Sequence, residues 1–263
     1  MNIKDKISKV KCFLLDLDGT VYLDGDLIGD MKNTLNKIRK SGRKIVYLTN
    51  NSSKSLDDYI VRLKNIGIWE EGDVMYSSAV AAYEYINTYH KGKSVYVLGT
   101  ESLKRELKAQ GVNVVEDSAD IMLLGYDTEL TYDKLCKACL SLRNGALYVA
   151  THPDVNCPGK VIPLPDAGSF MKLIESSVGR LPDVICGKPE KNMGDLIMGR
   201  FGLKGEEIIM VGDRLYTDIK FGINSGFNTL LVLSGETSIK DYEESGLKVT
   251  LVLDTLNDVL KYL

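Results

Sequence analysis

Short apolar runs alternate with amphipathic segments along most of the chain. In its outer parts, apolar runs of strand length lie at residues 12–15, 44–48, 74–76, 207–211 and 229–233. Between them, apolar residues recur at helical spacing in residues 31–40, 56–66, 79–89 and 218–224. Strands that alternate with helices indicate βαβ units, so the pattern predicts an α/β fold with a doubly wound parallel sheet.

The middle of the chain carries a second, separate alternation. Strands are predicted at residues 94–98, 112–115, 121–124 and 147–150, and helices at residues 102–110, 132–143 and 167–178. Polar segments with helix breakers at residues 90–93 and 179–182 mark the joints. We therefore predict a discontinuous core of residues 1–90 and 183–263, interrupted by an inserted α/β domain at residues 91–182.

The composition narrows the class of protein. With 44% hydrophobic and 26% charged residues, the 263-residue chain has the balance of a globular protein with a sizeable core. Its formal net charge of −3 argues against a nucleic acid polymer or a membrane surface as partner. No apolar run reaches the length of a membrane span, and residues 1–11 lack the apolar core of a signal peptide. We expect a cytoplasmic protein.

The five cysteines are scattered and odd in number, which is typical of reduced thiols in the cytoplasm. Cys136 and Cys139 have the spacing of a metal or redox pair, but they lie within the predicted helix 132–143. No second pair of cysteines or histidines follows at the spacing of a zinc site. We therefore interpret both as cysteines of the core.

Asp16 and Asp18 follow the first predicted strand directly. Desolvation keeps acids out of a buried strand, but at the carboxyl end of a parallel strand they can face the crevice where ligands bind. There, one carboxylate can attack an electrophile, a second can transfer protons, and both can bind a divalent cation. An ordinary acidic turn is the alternative. A calcium-binding EF-hand loop is excluded, because Val21 and Leu27 stand where it requires Gly and Glu.

Three further predicted strands end in polar residues. Residues 49–52, Thr-Asn-Asn-Ser, suit a phosphate beside a helix N-terminus, or they cap the next helix. Lys188 follows the apolar residues 184–186, where it could neutralise a phosphoryl group or lie on the surface. Asp213 and Asp218 follow the strand 207–211 and fit a magnesium ligand and its supporting partner.

The order of these motifs resembles that of the haloacid dehalogenase superfamily of phosphatases. Asp-x-Asp-Gly-Thr, Thr-Asn-Asn, Gly-Lys-Pro and Val-Gly-Asp-x-x-x-x-Asp come from residues 12–20, 45–52, 184–189 and 207–218, so the resemblance covers both halves of the chain. Within the insert, residues 150–158 and 165–169 resemble the cap of the NagD-like, p-nitrophenylphosphatase branch. The resemblance implies a Rossmann-like core with an inserted α/β cap.

The resemblance also implies an activity and its central residues. The expected reaction is magnesium-dependent hydrolysis of small phosphomonoesters, such as sugar phosphates, nucleoside monophosphates or p-nitrophenyl phosphate, through an aspartyl-phosphate intermediate. Asp16 would be the nucleophile, and Asp18 the general acid and base. An oxygen of Asp16, the backbone carbonyl of Asp18 and Asp213 would hold Mg²⁺, with Asp218 in support.

Other residues are expected to bind the substrate. Those that the resemblance implies are Thr49, Asn50, Asn51, Lys188, Arg214 and Thr217. His152 opens a proline-containing loop after the strand 147–150, and we predict that it contacts the leaving group. The alternative is a structural histidine, hydrogen-bonded within its own loop.

Two other functions stay open at this point. One is a phosphotransferase such as a sugar-phosphate mutase, although the insert lies later and contains more strands than the small helical cap of such mutases. The other is a non-catalytic metabolite-binding regulator, against which the intact Asp16, Asp18, Lys188 and Asp213 argue. The sequence does not identify the physiological substrate. The resemblance also admits a homodimer, because caps in this branch often take part in dimer contacts.

Overall fold

The computed structural model describes residues 3–23, 25–157 and 162–263. These residues form two compact units. The first comprises Met1–Thr49, Asp57–Tyr76 and Lys188–Leu263, and the second comprises Asn50–Leu56 and Ser77–Gly187. The second unit thus begins before the predicted joint at residues 90–93 and also includes the short segment after Thr49. Pro158, part of the motif predicted for the insert, lies outside the described residues.

The strands and helices follow one another as the alternation predicts. In chain order, the strands are β1 (Cys12–Leu15), β2 (Tyr22–Leu23), β3 (Asp26–Leu27), β4 (Lys44–Thr49), β5 (Val74–Ser77), β6 (Ser94–Leu98), β7 (Asn113–Val115), β8 (Ile121–Leu124), β9 (Leu147–Ala150), β10 (Asn156–Cys157), β11 (Leu164–Pro165), β12 (Val184–Ile185), β13 (Ile208–Gly212), β14 (Asn228–Val232) and β15 (Leu251–Leu253). The α-helices are α1 (Ile3–Ser8), α2 (Met31–Lys40), α3 (Leu56–Asn65), α4 (Ser78–Tyr89), α5 (Glu101–Ala109), α6 (Tyr132–Arg143), α7 (Ala167–Val178), α8 (Asn192–Phe201), α9 (Lys220–Asn224) and α10 (Ile239–Ser245).

The first unit is built on a six-stranded sheet with the order β15-β14-β13-β1-β4-β5. The central strand, β1, is fully buried and pairs in parallel with β4 and β13. Its last residue, Leu15, lies opposite Tyr47 of β4 and Val211 of β13. The carboxyl ends of the three strands therefore meet at one edge of the sheet, and the residues that follow them are brought together there.

The second unit is built on a five-stranded parallel sheet with the order β12-β9-β8-β6-β7. Helices α6 and α7 pack together over a buried cluster that includes Tyr96, Met122, Leu142, Tyr148 and Ile174. A side chain caps the start of each of these two helices, Thr131 for α6 and Asp166 for α7. The predicted α/β fold with parallel sheets is therefore confirmed.

One local prediction is incomplete and another is wrong. The helix expected over residues 218–224 is present as α9, but a π-helical turn, Leu215–Ile219, precedes it, in which the N–H groups of Asp218 and Ile219 both donate to the carbonyl of Arg214. Cys136 is exposed rather than buried in the core. It lies on the outer face of α6, whereas Ala138 and Leu142 on the same helix fill the interior.

The sequence pattern left several elements unpredicted. They are the β2–β3 and β10–β11 pairs, helices α1, α8 and α10, and the last strand, β15. The short strands and helices among them carry too few residues to show a periodicity. Helix α8 has ten residues and was missed although Met193 and Ile197 recur at helical spacing. Among the described residues, no helix has both the length and the apolar character needed to cross a membrane.

Candidate active site

Lys188 lies between two carboxylates of the first unit. Its Nζ atom is 2.6 Å from Oδ1 of Asp16 and 2.6 Å from Oδ1 of Asp218. Asp16 follows β1, and its backbone N–H donates to the carbonyl of Val211 on the neighbouring strand β13. Lys188 is 2% exposed and Asp218 is 1% exposed, so the ion pairs are shielded from solvent. The ends of two predicted strands, together with Lys188, thus meet as predicted.

Burial and the excess of carboxylates over ammonium groups determine the pKa values of Asp16 and Lys188. Burial, reinforced by the neighbouring Asp218, raises the pKa of Asp16 well above its ordinary value, although Lys188 opposes the shift. Burial disfavours the charged form of Lys188, but Asp16 and Asp218 outweigh it and raise the pKa of the ammonium group. Lys188 therefore stays charged and offsets one of the carboxylates around it.

Asp213 completes a cluster of three carboxylates with Asp16 and Asp218. One oxygen of each lies within 4.8 Å of one oxygen of each of the others. Burial, followed by the charge of Asp218, raises the pKa of Asp213 to about 6. Its Oδ1 atom is buried and has no hydrogen-bond partner among the described residues, whereas Oδ2 accepts from the N–H of Glu236 at 2.7 Å. A buried carboxylate oxygen without a donor fits a hard cation, which binds through oxygen ligands.

Asp18 lies two residues beyond Asp16, and Leu17 between them is buried. Asp18 itself is exposed, and it forms an isolated β-bridge with Tyr22. Gly19 has a φ of 85°, and its N–H donates to the carbonyl of Tyr22 at 2.8 Å. The turn after β1 therefore separates a first carboxylate that is 15% exposed from a second one that is exposed to solvent, an arrangement that suits a nucleophile and a general acid.

The predicted phosphate ligands are divided between the two units. Thr49 is the last residue of β4 in the first unit, whereas Asn50 and Asn51 begin the second. In the second unit, the side-chain amide of Asn50 donates to Asp154 at 3.1 Å. The side-chain carbonyl of Asn51 accepts two hydrogen bonds from Ser53. The roles of these three residues at a phosphate stay predictions.

The predicted substrate-bordering segment, residues 214–217, follows β13 in the first unit. Nε of Arg214 lies 3.0 Å from Oε2 of Glu236, and the hydroxyl of Tyr216 donates to the same oxygen at 3.2 Å. Thr217 is 3% exposed, and its Oγ1 atom has no hydrogen-bond partner among the described residues. The segment is thus tied to Glu236, which the motifs did not include.

His152 lies in the second unit, directly after β9, and its side chain is fully buried. Nε2 is 2.9 Å from Oδ1 of Asp166, and Nδ1 is 2.9 Å from Oγ1 of Thr151. The Thr151 hydroxyl is 3.1 Å from that of Ser52. Because both ring nitrogens have polar neighbours and the ring has no exposed surface, the geometry favours a structural role. Direct contact with a leaving group stays a prediction.

Sequence reasoning missed one part of this edge of the sheet, residues 234–236. They follow β14, which neighbours β13 in the sheet. The Ser234 hydroxyl donates to the carbonyl of Gly19 at 2.7 Å, and Glu236 contacts Asp213, Arg214 and Tyr216 as described above. The strand itself was predicted, so its polar Ser-Gly-Glu ending was the available sign that these residues belong to the site.

Comparison with known protein families gives two matches, one in each half of the chain. Residues 13–113 match the model of the haloacid dehalogenase-like hydrolases, and residues 185–259 match a second model of hydrolases of the same type. An acid sugar phosphatase of Staphylococcus aureus is 33% identical to this chain, over 97% of this chain and 98% of the relative.

Solved structures agree with these matches. A 4-nitrophenylphosphatase from Thermotoga maritima superposes with a TM-score of 0.93 and 41% identity, over 99% of each chain. NagD from Escherichia coli K-12 superposes with a TM-score of 0.87 and 29% identity, over 95% of this chain and 98% of that one. The chain therefore belongs to the haloacid dehalogenase-like hydrolases, in the branch that includes NagD and the p-nitrophenylphosphatases.

Proposed function

We propose that this phosphatase of the haloacid dehalogenase family hydrolyses small phosphomonoesters with the help of Mg²⁺, through a phosphorylated Asp16. The observation that carries the proposal is the cluster of Asp16, Asp213 and Asp218, in which the ammonium group of Lys188 contacts Asp16 and Asp218. In the transition state of phosphoryl transfer, negative charge is spread over the phosphoryl oxygens. Catalysis therefore depends mainly on positioning the nucleophile and the substrate and on offsetting that charge.

Two half-reactions divide the work between the two carboxylates after β1. In the first, an oxygen of Asp16 forms a bond to phosphorus, the ester P–O bond breaks, and Asp18 gives its proton to the departing alcohol. In the second, Asp18 takes a proton from water, the water oxygen attacks phosphorus, and phosphate leaves with the carboxylate of Asp16 regenerated. The burial of Asp16 and the exposure of Asp18 suit these two roles. Lys188 holds Asp16 in place and offsets the charge of the phosphoryl group.

The residues present fit a magnesium ion. Asp16 and Asp213 would hold it, together with the backbone carbonyl of Asp18, and Asp218 would support the set. When bound, such an ion supplies positive charge to the phosphoryl oxygens. The Oδ1 atom of Asp213, buried without a donor among the described residues, supports this assignment.

The substrate class follows from the relatives and from the predicted phosphate ligands. Relatives of this chain are described as an acid sugar phosphatase and as p-nitrophenylphosphatases, so we propose sugar phosphates and aryl phosphates as substrates. Thr49, with Asn50 and Asn51, would bind the phosphate itself. The inserted domain predicted at residues 91–182 would choose between leaving groups.

A panel of phosphorylated metabolites tests the proposal directly. Purified protein is incubated with sugar phosphates, nucleoside monophosphates and p-nitrophenyl phosphate, each with Mg²⁺ and with a chelator, and free phosphate is measured. We expect phosphate release with Mg²⁺ and none with the chelator. Full activity in the metal-free sample would contradict the role of Mg²⁺. Transfer of the phosphoryl group to a second sugar, without release of phosphate, would indicate a phosphotransferase instead.

A further inference from the structure

Residues 234–236, which follow β14, form a loop in direct contact with the carboxylate cluster of the first unit; we refer to it as the β14 loop. Glu236 donates its backbone N–H to Oδ2 of Asp213 at 2.7 Å, while Oδ1 of the same carboxylate keeps no hydrogen-bond partner among the described residues. The Ser234 hydroxyl donates to the carbonyl of Gly19 at 2.7 Å. The loop thus fixes one oxygen of Asp213 and leaves the other free for a ligand.

Two glycines enclose the Asp213 carboxylate. A Cβ atom on Gly19 would lie 2.4 Å from Oδ2 of Asp213, and one on Gly235 would lie only 2.0 Å from the same oxygen. Neither distance is compatible with a side chain, so both backbones approach the carboxylate as closely as they do only because these residues are glycines. Gly235 does not have a positive φ, so a methyl group there would act by its volume and not by backbone strain.

The side chain of Glu236 contacts different residues from those that its backbone contacts. Its Oε2 atom lies 3.0 Å from Nε of Arg214 and accepts from the hydroxyl of Tyr216 at 3.2 Å. These residues belong to the segment predicted to border the substrate. The side chain of Glu236 is 48% exposed, so the contact lies near the surface and is accessible to mutation without opening the core.

We propose that the β14 loop is a positioning element with two separable tasks. Its backbone orients Asp213 for the metal ion, and the Glu236 side chain orients Arg214 and Tyr216 for the substrate. The proposal rests on the function proposed above and assigns residues that the four sequence motifs do not contain. Partners that orient a metal ligand without touching the metal strongly affect metal affinity.

The backbone task is tested with Gly235→Ala, using Gly199→Ala in α8 as the matched control. The control adds the same methyl group where no atom lies within 4 Å. Metal binding is measured without substrate, as the rise in melting temperature with MgCl₂ concentration. We expect Gly235→Ala to weaken the apparent Mg²⁺ affinity by about 10- to 100-fold, and the control to leave it unchanged. Melting in chelator checks that both variants fold.

The side-chain task is tested with Glu236→Ala and Glu236→Gln. Both variants keep the backbone N–H that donates a hydrogen bond to Asp213, so their Mg²⁺ affinity should match that of the wild type. Glu236→Ala should raise the KM for p-nitrophenyl phosphate several-fold, with a smaller change in kcat. Glu236→Gln retains an acceptor oxygen for the Tyr216 hydroxyl but removes the charge that faces Arg214, so it should restore only the part of the loss that depends on Tyr216. A merely structural role would change the melting temperature and not separate KM from Mg²⁺ affinity.

Three results would overturn the proposal. Equal Mg²⁺ affinity in Gly235→Ala and Gly199→Ala would remove the backbone task, and a wild-type KM in Glu236→Ala would remove the side-chain task. Each of these, obtained with an active wild type, would leave the proposed function intact. A wild-type protein that neither binds Mg²⁺ nor hydrolyses any ester would overturn the proposed function and the role of the β14 loop together.

Discussion

Each unit of the molecule contains a buried polar cluster, and the two clusters are built on opposite principles. In the first unit, the carboxylates of Asp16, Asp213 and Asp218 lie together, and the ammonium group of Lys188 contacts Asp16 and Asp218. One oxygen of Asp213 lacks a hydrogen-bond partner among the described residues. In the second unit, His152 places each ring nitrogen 2.9 Å from a polar atom, and Asp166 also caps a helix. The first cluster has an excess of negative charge, whereas in the second both ring nitrogens of His152 have a polar neighbour.

The difference separates a reactive site from a structural one. Burying unpaired charge destabilises a fold, so an excess of acid is tolerated where a cation or a charged substrate restores the balance. A buried pair whose hydrogen bonds are all made instead holds chain segments together. We therefore expect removal of an acid from the first cluster to abolish activity while sparing the fold, and mutations in the second to do the reverse.

Asp16→Asn should give the largest effect on activity. The amide cannot attack phosphorus, so kcat should fall by roughly 10³-fold or more. The substitution also removes one of the crowded negative charges, so the melting temperature in chelator should stay the same or rise. Steady-state kinetics and thermal melting check the two expectations together. Residual activity of more than a few per cent would remove Asp16 from the role of nucleophile.

Lys188→Ala should be nearly as severe for activity. Without the ammonium group, no side chain of this cluster offsets the phosphoryl charge, and kcat/KM should fall by roughly 10²- to 10³-fold. Because the phosphate is common to all substrates, the loss should be similar for sugar, nucleotide and aryl esters. Lys220→Ala, an exposed lysine of the same unit, is the control. A loss confined to one leaving group would place Lys188 elsewhere in the mechanism.

His152→Ala should mainly affect stability. It breaks a fully buried contact with Asp166 and leaves a buried carboxylate short of a partner, so the free energy of unfolding should fall by about 3 kcal/mol. Chemical denaturation measures this loss, with the half-buried His90→Ala as the control. Direct contact with the leaving group, as predicted from the sequence, would instead change the ranking of substrates at an unchanged stability.

Ionisation of Asp213 should make stability depend on pH, and this effect should be smaller than those of the three substitutions above. Burial raises the pKa of Asp213 from 3.8 to about 6, so the folded state favours the protonated acid. The metal-free protein should therefore lose stability as the pH rises from about 4 to about 7. Asp213→Asn cannot ionise, so its melting temperature should exceed that of the wild type more at the upper end of this range. An equal difference in melting temperature at both ends of the pH range would show that the pKa of Asp213 is not raised.

How far the sequence predicts the site depends on where each residue lies relative to a strand end. Asp16 and Lys188 are 172 positions apart and yet in contact. Asp16 follows β1 of the six-stranded sheet, whereas Lys188 follows β12 of the five-stranded sheet. The gathering of strand ends at one edge of a parallel sheet therefore predicts that Asp16 meets Asp213, but not that it meets Lys188. The same rule applied to β14 would have reached Glu236.

The second cluster could not be predicted in the same way. Asn50 and Asp154 form a hydrogen bond although they are 104 positions apart. Both lie in loops, where no periodicity of the sequence predicts which residues meet. The pairing of His152 with Asp166 likewise depends on how a loop returns to the start of α7. The exposure of Cys136 was missed because a helical pattern of mixed apolar residues does not show which face is the buried one.

If Asp16 carries the phosphoryl group, the covalent intermediate can be trapped on this residue. In Asp18→Asn, an aryl ester should still transfer its phosphoryl group, because p-nitrophenolate leaves without much protonation, but water is no longer activated. The variant is mixed with p-nitrophenyl phosphate and Mg²⁺, quenched in acid and digested for mass spectrometry. The account predicts one phosphoryl group on the peptide that contains Asp16, removable by hydroxylamine. Release of p-nitrophenolate with a phosphoryl group on another residue, or on none, would contradict it.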